Sequence, residues 1–197
     1  MRLGRDSTAE IEEFVCDRNT QLLVACEGDR IRIDVNGRRL PDSKKIKLFL
    51  FGIVEFDWVK FLSINIGKRS LDGTRVPPGD YLMVAVDLRG AGSILAFSDR
   101  KNFRKAFWAE EPLGVSFSTS LKALYSPEQA ISYSGVASYL SNGSCLDGRT
   151  LFDGISSMGS AEYWKWDGKI RALERGKHWS PSFYDGAHTP DREDAKL

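Results

Sequence analysis

Four strand-like runs, YLMVAVDL, SILAFSD, KAFWAE and GVSFSTS, follow one another between Tyr81 and Ser120 with only RGAG, RKNFR and EPL between them. Val, Ile, Phe and Trp at this density favour the pleated, half-buried backbone of a β-strand. A parallel neighbour is reached only through a crossover of about a dozen residues or more, so connections this short restrict consecutive runs to antiparallel pairing. The segment reads as an antiparallel meander.

The flanking segments carry further signals. QLLVACEGDRIRIDVNGRRL contains two apolar runs joined by EGD and an alternation at Ile31, Ile33 and Val35 that leads into Asn36 and Gly37. Asn-Gly favours the tight turn of a hairpin, so three short strands are expected here. Within residues 1–20 the apolar Ile11, Phe14 and Val15 suggest one short helix, capped by Asp6 or Ser7. From Lys47 to Ile66 the apolar residues fit no single period and mark core without fixing its form. GKRSLDGTRVPPGD has the punctuation of a loop.

Helical signals return after the four runs. SLKALYS has Ser120 as a cap, and SPEQAISYSGVASYLSNG carries a predicted buried stripe of Ile131, Val136, Tyr139 and Leu140. AEYWKWDGKIRALER then reads as a second hairpin, turning at Asp167 and Gly168. Residues 1–180 are expected to form one domain, and residues 181–197, with turn-formers and no periodicity, a linker or disordered tail.

Charge excludes one class of partner. Lys plus Arg number 28 against 27 Asp plus Glu, so no broad field draws in phosphate backbones, and no nucleic-acid partner is expected. The basic cluster Arg38, Arg39, Lys44, Lys45 and Lys47 is broken by Pro41 and Asp42 and reads as a solvated surface. The opening MRLGRDSTAEIEEF has no apolar signal core. The longest apolar run, Leu48 to Val54, is far short of the ~20 residues that span a bilayer. A cytoplasmic protein with no membrane partner is the expectation. Cys16, Cys26 and Cys145 form no CxxC pair, which points to reduced, structural thiols and no metal site.

The order of these signals resembles the asparagine synthetase family. That family carries a strand ending in Asp, a strand running into an Asp-Arg pair, an aromatic strand, a strand followed by ELKAL, and a helix with YL. Here the series is YLMVAVDL, LAFSDR, AFWAE, VSFSTSLKALYSP and VASYLSNG. RTLFDGISSM resembles the family's RTLFEGI, AEYWKWDGKI its GHYLTWDG hairpin, and KHWSP its RYWDP exit. The likeness covers residues 80–180, roughly the second half of the family's glutaminase-type domain.

The resemblance implies an α+β fold of two stacked antiparallel sheets flanked by helices, the αββα arrangement of the Ntn-hydrolases. In the family this class II glutamine amidotransferase domain releases ammonia from glutamine. A second part adenylates a carboxylate with ATP through an SGGxDS loop. The nearest string here, Ser134, Gly135, Val136, Ala137 and Ser138, lacks the second glycine and the aspartate and falls on a predicted helix. ATP and Mg²⁺ would thus belong to a synthetase part absent from this chain, and no cofactor is expected on it.

The family's nucleophile is a cysteine at the mature N-terminus, with its own α-amine as the base. Its opening is MCGI, whereas this chain begins MRLG. Neither Cys16 nor Cys26 is followed by Gly-Ile, Asp17 opposes a thiolate at Cys16, and Cys26 falls within a predicted strand, so exposure of either by processing is not expected. Of the family's substrate-binding segments only its NGE turn has a counterpart, VNGRRL, with Arg38 in place of the glutamate. Asn36 and Gly37 stand where the family forms its oxyanion hole and are the candidate ligand-binding pair, although a plain hairpin turn is the simpler account.

No catalytic residue is expected elsewhere. Asp99 and Arg100 are adjacent on a strand and point to opposite faces. His178 and His188 lie at or beyond the domain edge without an evident partner, and Trp164, Trp166 and Trp179 read as packing. The expected function is therefore a non-hydrolytic glutaminase-like domain of an ATP-dependent amide-forming system. Its partner would be an ATP-pyrophosphatase-type synthetase domain or chain that it braces, and a homo-oligomer is open. The alternatives are a free-standing binding or scaffold module and an amidotransferase activated by processing. An exposed apolar patch on the face that in the family meets the synthetase part separates the first two, because a protein living alone replaces such a face with polar residues.

Overall fold

The computed structural model describes residues 10–27, 30–41, 43, 45–53, 56–65, 71, 76–111 and 114–180. The expected caps Asp6 and Ser7, His188 and the tail 181–197 lie outside the described residues, as does most of the expected loop between residues 67 and 80.

In chain order the strands begin with β1 (Ile11–Cys16), β2 (Leu22–Glu27), β3 (Arg30–Val35), β4 (Arg38–Arg39) and β5 (Ile46–Ile53). Helix α1 (Trp58–Asn65) precedes β6 (Asp80–Asp87), β7 (Ser93–Ser98), β8 (Phe107–Glu111) and β9 (Gly114–Ser118). Helices α2 (Leu121–Leu124) and α3 (Tyr133–Asn142) lead to β10 (Ile155–Ser157), β11 (Glu162–Asp167) and β12 (Ala172–Lys177). The fold is mixed α+β and consists mainly of two six-stranded, antiparallel-rich sheets with few helices. Sheet A has the order β1-β5-β6-β7-β11-β12, and sheet B the order β10-β8-β9-β2-β3-β4.

The main core lies between the sheets. Leu22, Val24 and Ile33 of sheet B meet Phe49, Val84 and Trp164 of sheet A there. Strand β6 is buried on both faces, with Leu82, Val84 and Val86 toward sheet B and Tyr81, Met83 and Ala85 toward the outer side. A strand covered twice reads as a continuous apolar run rather than an alternation, which is why YLMVAVDL has no polar face. Helix α1 supplies the outer cover through Trp58, Phe61 and Leu62. Each of these large side chains contributes about 1.5–3 kcal/mol on leaving water.

Lys47–Ile66 fits no single period because it holds both a strand and a helix, β5 and α1. Asp57 marks the change, its Oδ1 accepting the Lys60 N–H at 2.8 Å as an N-cap does. The three strands expected around the Asn36–Gly37 turn are β2, β3 and β4, and the hairpin at Asp167–Gly168 joins β11 to β12.

Three expectations are corrected. The helix expected within residues 1–20 is replaced over Ile11–Cys16 by a strand, pairing parallel to β5 at the edge of sheet A. Glu12, Phe14 and Cys16 then share one side, where Glu12 meets Lys47 at 2.7 Å and Phe14 stacks on Phe49 at 4.9 Å. These long-range partners override a weak local preference.

The four consecutive runs do not form one meander either. β6 pairs with β7 and β8 with β9, but the link between β7 and β8 passes from sheet A to sheet B. A buried Asp99 turns that link, with Oδ1 accepting the Lys101 N–H at 2.6 Å and Oδ2 the Phe103 N–H at 3.0 Å. A short connection bars parallel pairing but does not oblige the strands to pair at all. Among the described strands the chain changes sheet four times, after β1, β4, β7 and β10.

The predicted buried stripe on α3 is the third correction. Ile131, Tyr139 and Leu140 are exposed, Val136 is half-buried, and the buried positions of the helix are Gly135 and Ser138. Small residues face inward because the helix sits directly on the backbone of the loop that follows it. Ser138 Oγ accepts the Leu146 N–H at 3.0 Å, Cys145 Sγ donates to the Gly135 carbonyl at 3.5 Å, and a Cβ on Gly135 would lie 1.9 Å from the Thr150 carbonyl oxygen.

Candidate functional site

Asn36 and Gly37 connect β3 to β4 with φ of 51° and 75°, the two left-handed residues a tight hairpin turn requires. The Asn36 N–H donates to the Gln21 carbonyl at 2.8 Å, and its Oδ1 accepts the Gln21 N–H at 2.8 Å. This pair of bonds clips the turn to the start of β2 and occupies the side-chain oxygen. Both turn residues are exposed, and a Cβ on Gly37 would meet nothing within 4 Å. Oxyanion stabilisation depends on donors held in a site that excludes water, and this turn stands open.

Beside it, at the same end of the sandwich, lies a cleft of about 180 Å³. Asp17, Arg18 and Thr20 from the link between β1 and β2 face Arg104 and Lys105 from the link between β7 and β8, over a floor of Phe51 and Leu82. Asp17, Thr20, Thr119 and Arg104 among its polar groups serve the fold. Asp17 Oδ1 accepts the Thr20 hydroxyl at 2.7 Å and the Asn19 N–H at 3.0 Å, and these bonds hold the carboxyl below its usual range. Thr119 Oγ1 accepts the Leu22 N–H at 2.9 Å, and Arg104 Nε faces Asp80 at 3.3 Å.

The thiol at this end is Cys16, adjacent to Asp17. It is buried, and burial, followed by the Asp17 charge, pushes it up to about 11. Cys26 is buried within β2, where burial raises its thiol to about 12. Nucleophilic attack needs the thiolate, which both surroundings oppose. A cut before Cys16 would also remove the rest of β1, with Phe14 and the Glu12 partner of Lys47. A cut before Cys26 would remove β1 and most of β2.

The remaining sequence candidates are dispersed. Asp99 is a buried loop anchor whose carbonyl also accepts the Ala161 N–H at 2.9 Å. The Arg100 guanidinium lies 4.7 Å from the Trp179 ring centre, while Trp164 and Trp166 are in the core between the sheets. His178 is not the partnerless edge residue expected. It is buried, its Nε2–H donates to the Ser98 carbonyl at 2.8 Å, and burial lowers its pKa below 6.5. Lys47 is likewise no part of a solvated surface, since it is buried against Glu12, while Lys45 pairs with Glu10 at 2.6 Å outside. Ser134–Ser138 lies on α3, as expected.

Among the described residues no three His, Cys, Asp or Glu side chains cluster as a metal would need. No described helix is long and apolar enough to cross a membrane. Comparison with protein-family models and with curated proteins gives no match to this chain.

One surface feature was not read from the sequence. Around α3, Tyr133 is 89% exposed, Leu140 78% and Ile131 60%. Tyr133, Ala137 and Leu140 follow helical spacing on the side away from Gly135 and Ser138. The signal was present as the small pair Gly135 and Ser138, which marks the inward side of a helix that approaches backbone closely.

Proposed function

We propose that this chain is a non-hydrolytic glutaminase-like domain of the Ntn-hydrolase type, which braces an ATP-dependent, asparagine synthetase-like amide-forming partner on a separate polypeptide or on a further part of the same one. The outward apolar stripe of α3 carries the reading. Large apolar side chains left in water on an otherwise small-residue helix favour a surface that is covered in use over a module that works alone. The stacked sheets agree with the series of segments that resembles the family, and buried, deprotonation-resistant Cys16 and Cys26 argue against glutamine hydrolysis by this chain.

The test is co-expression of the full chain with any ATP-pyrophosphatase-type protein encoded beside it, recognised by an SGGxDS loop. Co-purification in a defined ratio is expected, together with its loss in Tyr133→Ser/Leu140→Ser. If the folded chain binds no such synthetase, the free-standing module is the better description. Release of ammonia from glutamine by the purified chain would instead restore an active amidotransferase.

A further inference from the structure

After β12 the chain leaves the sandwich through His178 and Trp179, and a buried imidazole holds that exit in place. His178 donates its backbone N–H to the Ala161 carbonyl at 2.9 Å and its Nε2–H to the Ser98 carbonyl at 2.8 Å. Its ring centre lies 5.5 Å from that of Phe97, and Trp179, 37% exposed, stacks beside it under the Arg100 guanidinium at 4.7 Å. The receiving side is tied to its neighbours. Ser98 Oγ donates to the Gly159 carbonyl at 2.7 Å and accepts the Glu162 N–H at 3.0 Å. The Asp99 N–H donates to the Tyr81 carbonyl at 3.0 Å, and its own carbonyl accepts the Ala161 N–H at 2.9 Å.

The second ring nitrogen decides what a proton does here. Nδ1 is shielded from solvent and has no hydrogen-bond partner. Protonation would turn it into a buried donor without an acceptor and add a full charge to a site closed to water, and each of these is costly. Among the described residues the charges that act on the imidazole are Arg100 and Asp99, both from the link after β7. Arg100 repels an imidazolium. The Asp99 carboxylate attracts one, but its two oxygens already accept the Lys101 and Phe103 N–H groups. The ionisable groups on the adjoining strands are neutral or engaged. Burial raises the Tyr81 pKa on β6, and on β11 the Tyr163 hydroxyl donates to Glu174 at 2.8 Å while the Glu162 carboxylate accepts the Gly159 N–H at 2.8 Å. Helix α1 reaches this region through Phe61, against Phe97. With the receiving side bound to β6 and β11, the exit is the part free to move and carry a charged ring to water.

We propose that His178 is a proton-operated latch, whose protonation undocks His178–Ser180 from sheet A while the two sheets stay intact, so that the domain's grip on its C-terminal exit depends on pH. The latch stands independently of the synthetase reading. Burial holds the docked ring below the ordinary value of 6.5, so docking is intact above that pH. As pH falls from there toward the folded value, the equilibrium moves toward the undocked form by up to about tenfold per pH unit. The test follows the ¹⁵N-labelled full chain by NMR between pH 7.5 and pH 5. A single-proton transition is expected, shared by the His178 ring and the Trp179 indole N–H. The heteronuclear NOE of Trp179 and Ser180 should fall through it, with the indoles of Trp164 and Trp166, in the core between the sheets, unmoved. His178→Gln keeps a side-chain N–H for the Ser98 carbonyl but does not titrate, and should abolish the transition. If that variant does not fold, the wild-type titration decides alone. A His178 ring that titrates with Trp179 unmoved, a ring still neutral at pH 5, loss of the core indole signals in the same step, or a Trp179 transition that persists in folded His178→Gln would each overturn the latch.

Discussion

Replacing Gly135 by alanine sets two opposed effects against each other within α3. In a helix interior, exchanging glycine for alanine ordinarily gains about 1 kcal/mol, because the unfolded chain has less freedom to lose. Here the added methyl would stand 1.9 Å from the Thr150 carbonyl oxygen and 3.3 Å from the Ser132 Cβ. That carbonyl has little room to give. Its loop is fixed by the Thr150 hydroxyl, which donates to the Ile155 carbonyl at 2.8 Å, and by the Ser132 N–H, which donates to the Leu151 carbonyl at 2.9 Å. Overpacking costs about 1–3 kcal/mol in general and, at a 1.9 Å approach to backbone, about 2–3 kcal/mol of that range, so a net loss of about 1–2 kcal/mol is expected. In urea, with a slope of about 2 kcal/mol per molar, this lowers the midpoint by roughly 0.5–1 M. Amide exchange reads the effect locally. The Val136 N–H, bonded to Ser132 at 2.8 Å, and the Gly143 N–H, bonded to Tyr139 at 2.8 Å, should lose protection first. Ser141→Ala, on the exposed side of the same helix, should stabilise by a few tenths of a kcal/mol. A raised midpoint in Gly135→Ala would refute the close seating of α3 and the account of why its large residues face outward.

Two further outcomes follow from buried groups. The unfolded chain protonates His178 near pH 6.5, whereas burial holds its folded pKa lower, so its contribution is intact above pH 6.5 and is lost as pH falls from there toward the folded value. The loss reaches at most about 1.4 kcal/mol per pH unit, and it should show in the urea midpoints of the wild type between pH 7.5 and 5.5 and be absent from those of His178→Gln; equal pH slopes in the two proteins would count against it. Thiol labelling at pH 8 with Ellman's reagent should modify Cys145, which is partly exposed, well before Cys16 and Cys26, with all three reacting in denaturant; fast native labelling of Cys16 would contradict its burial.

Strands with local signatures were legible in the sequence. Asn36–Gly37 and Asp167–Gly168 mark their own hairpins, because a left-handed turn demands those residue types whatever surrounds it. Features set by distant partners were not legible. β1 became a strand because Lys47 and Phe49 await Glu12 and Phe14 on the neighbouring strand, thirty-five residues away. Lys47 looked like surface for the same reason, since the carboxylate that permits its burial is remote in the chain. The passage from β7 to β8 depends on Asp99 binding two amides within its own loop, a contact that Asp-Arg spacing does not announce. On α3 the usual rule of large residues inward was applied where small residues were needed to admit a carbonyl. At the Asn36–Gly37 end the Asn-Gly pair announced a turn, but the openness of that turn required three dimensions.

Because the backbone passes from one sheet to the other four times among the described strands, neither layer is made from a continuous stretch of sequence. Sheet A takes its first strand from residues 11–16 and its last from residues 172–177. A cut between two strands of one sheet leaves that sheet incomplete, so the described residues are expected to gain and lose their structure as one cooperative unit. Such interleaving places most ordering ahead of its reward and favours assembly over milliseconds to seconds rather than microseconds. It also makes the protein a candidate for split-reporter use, since two complementary pieces would be unstructured apart and could regain order only together.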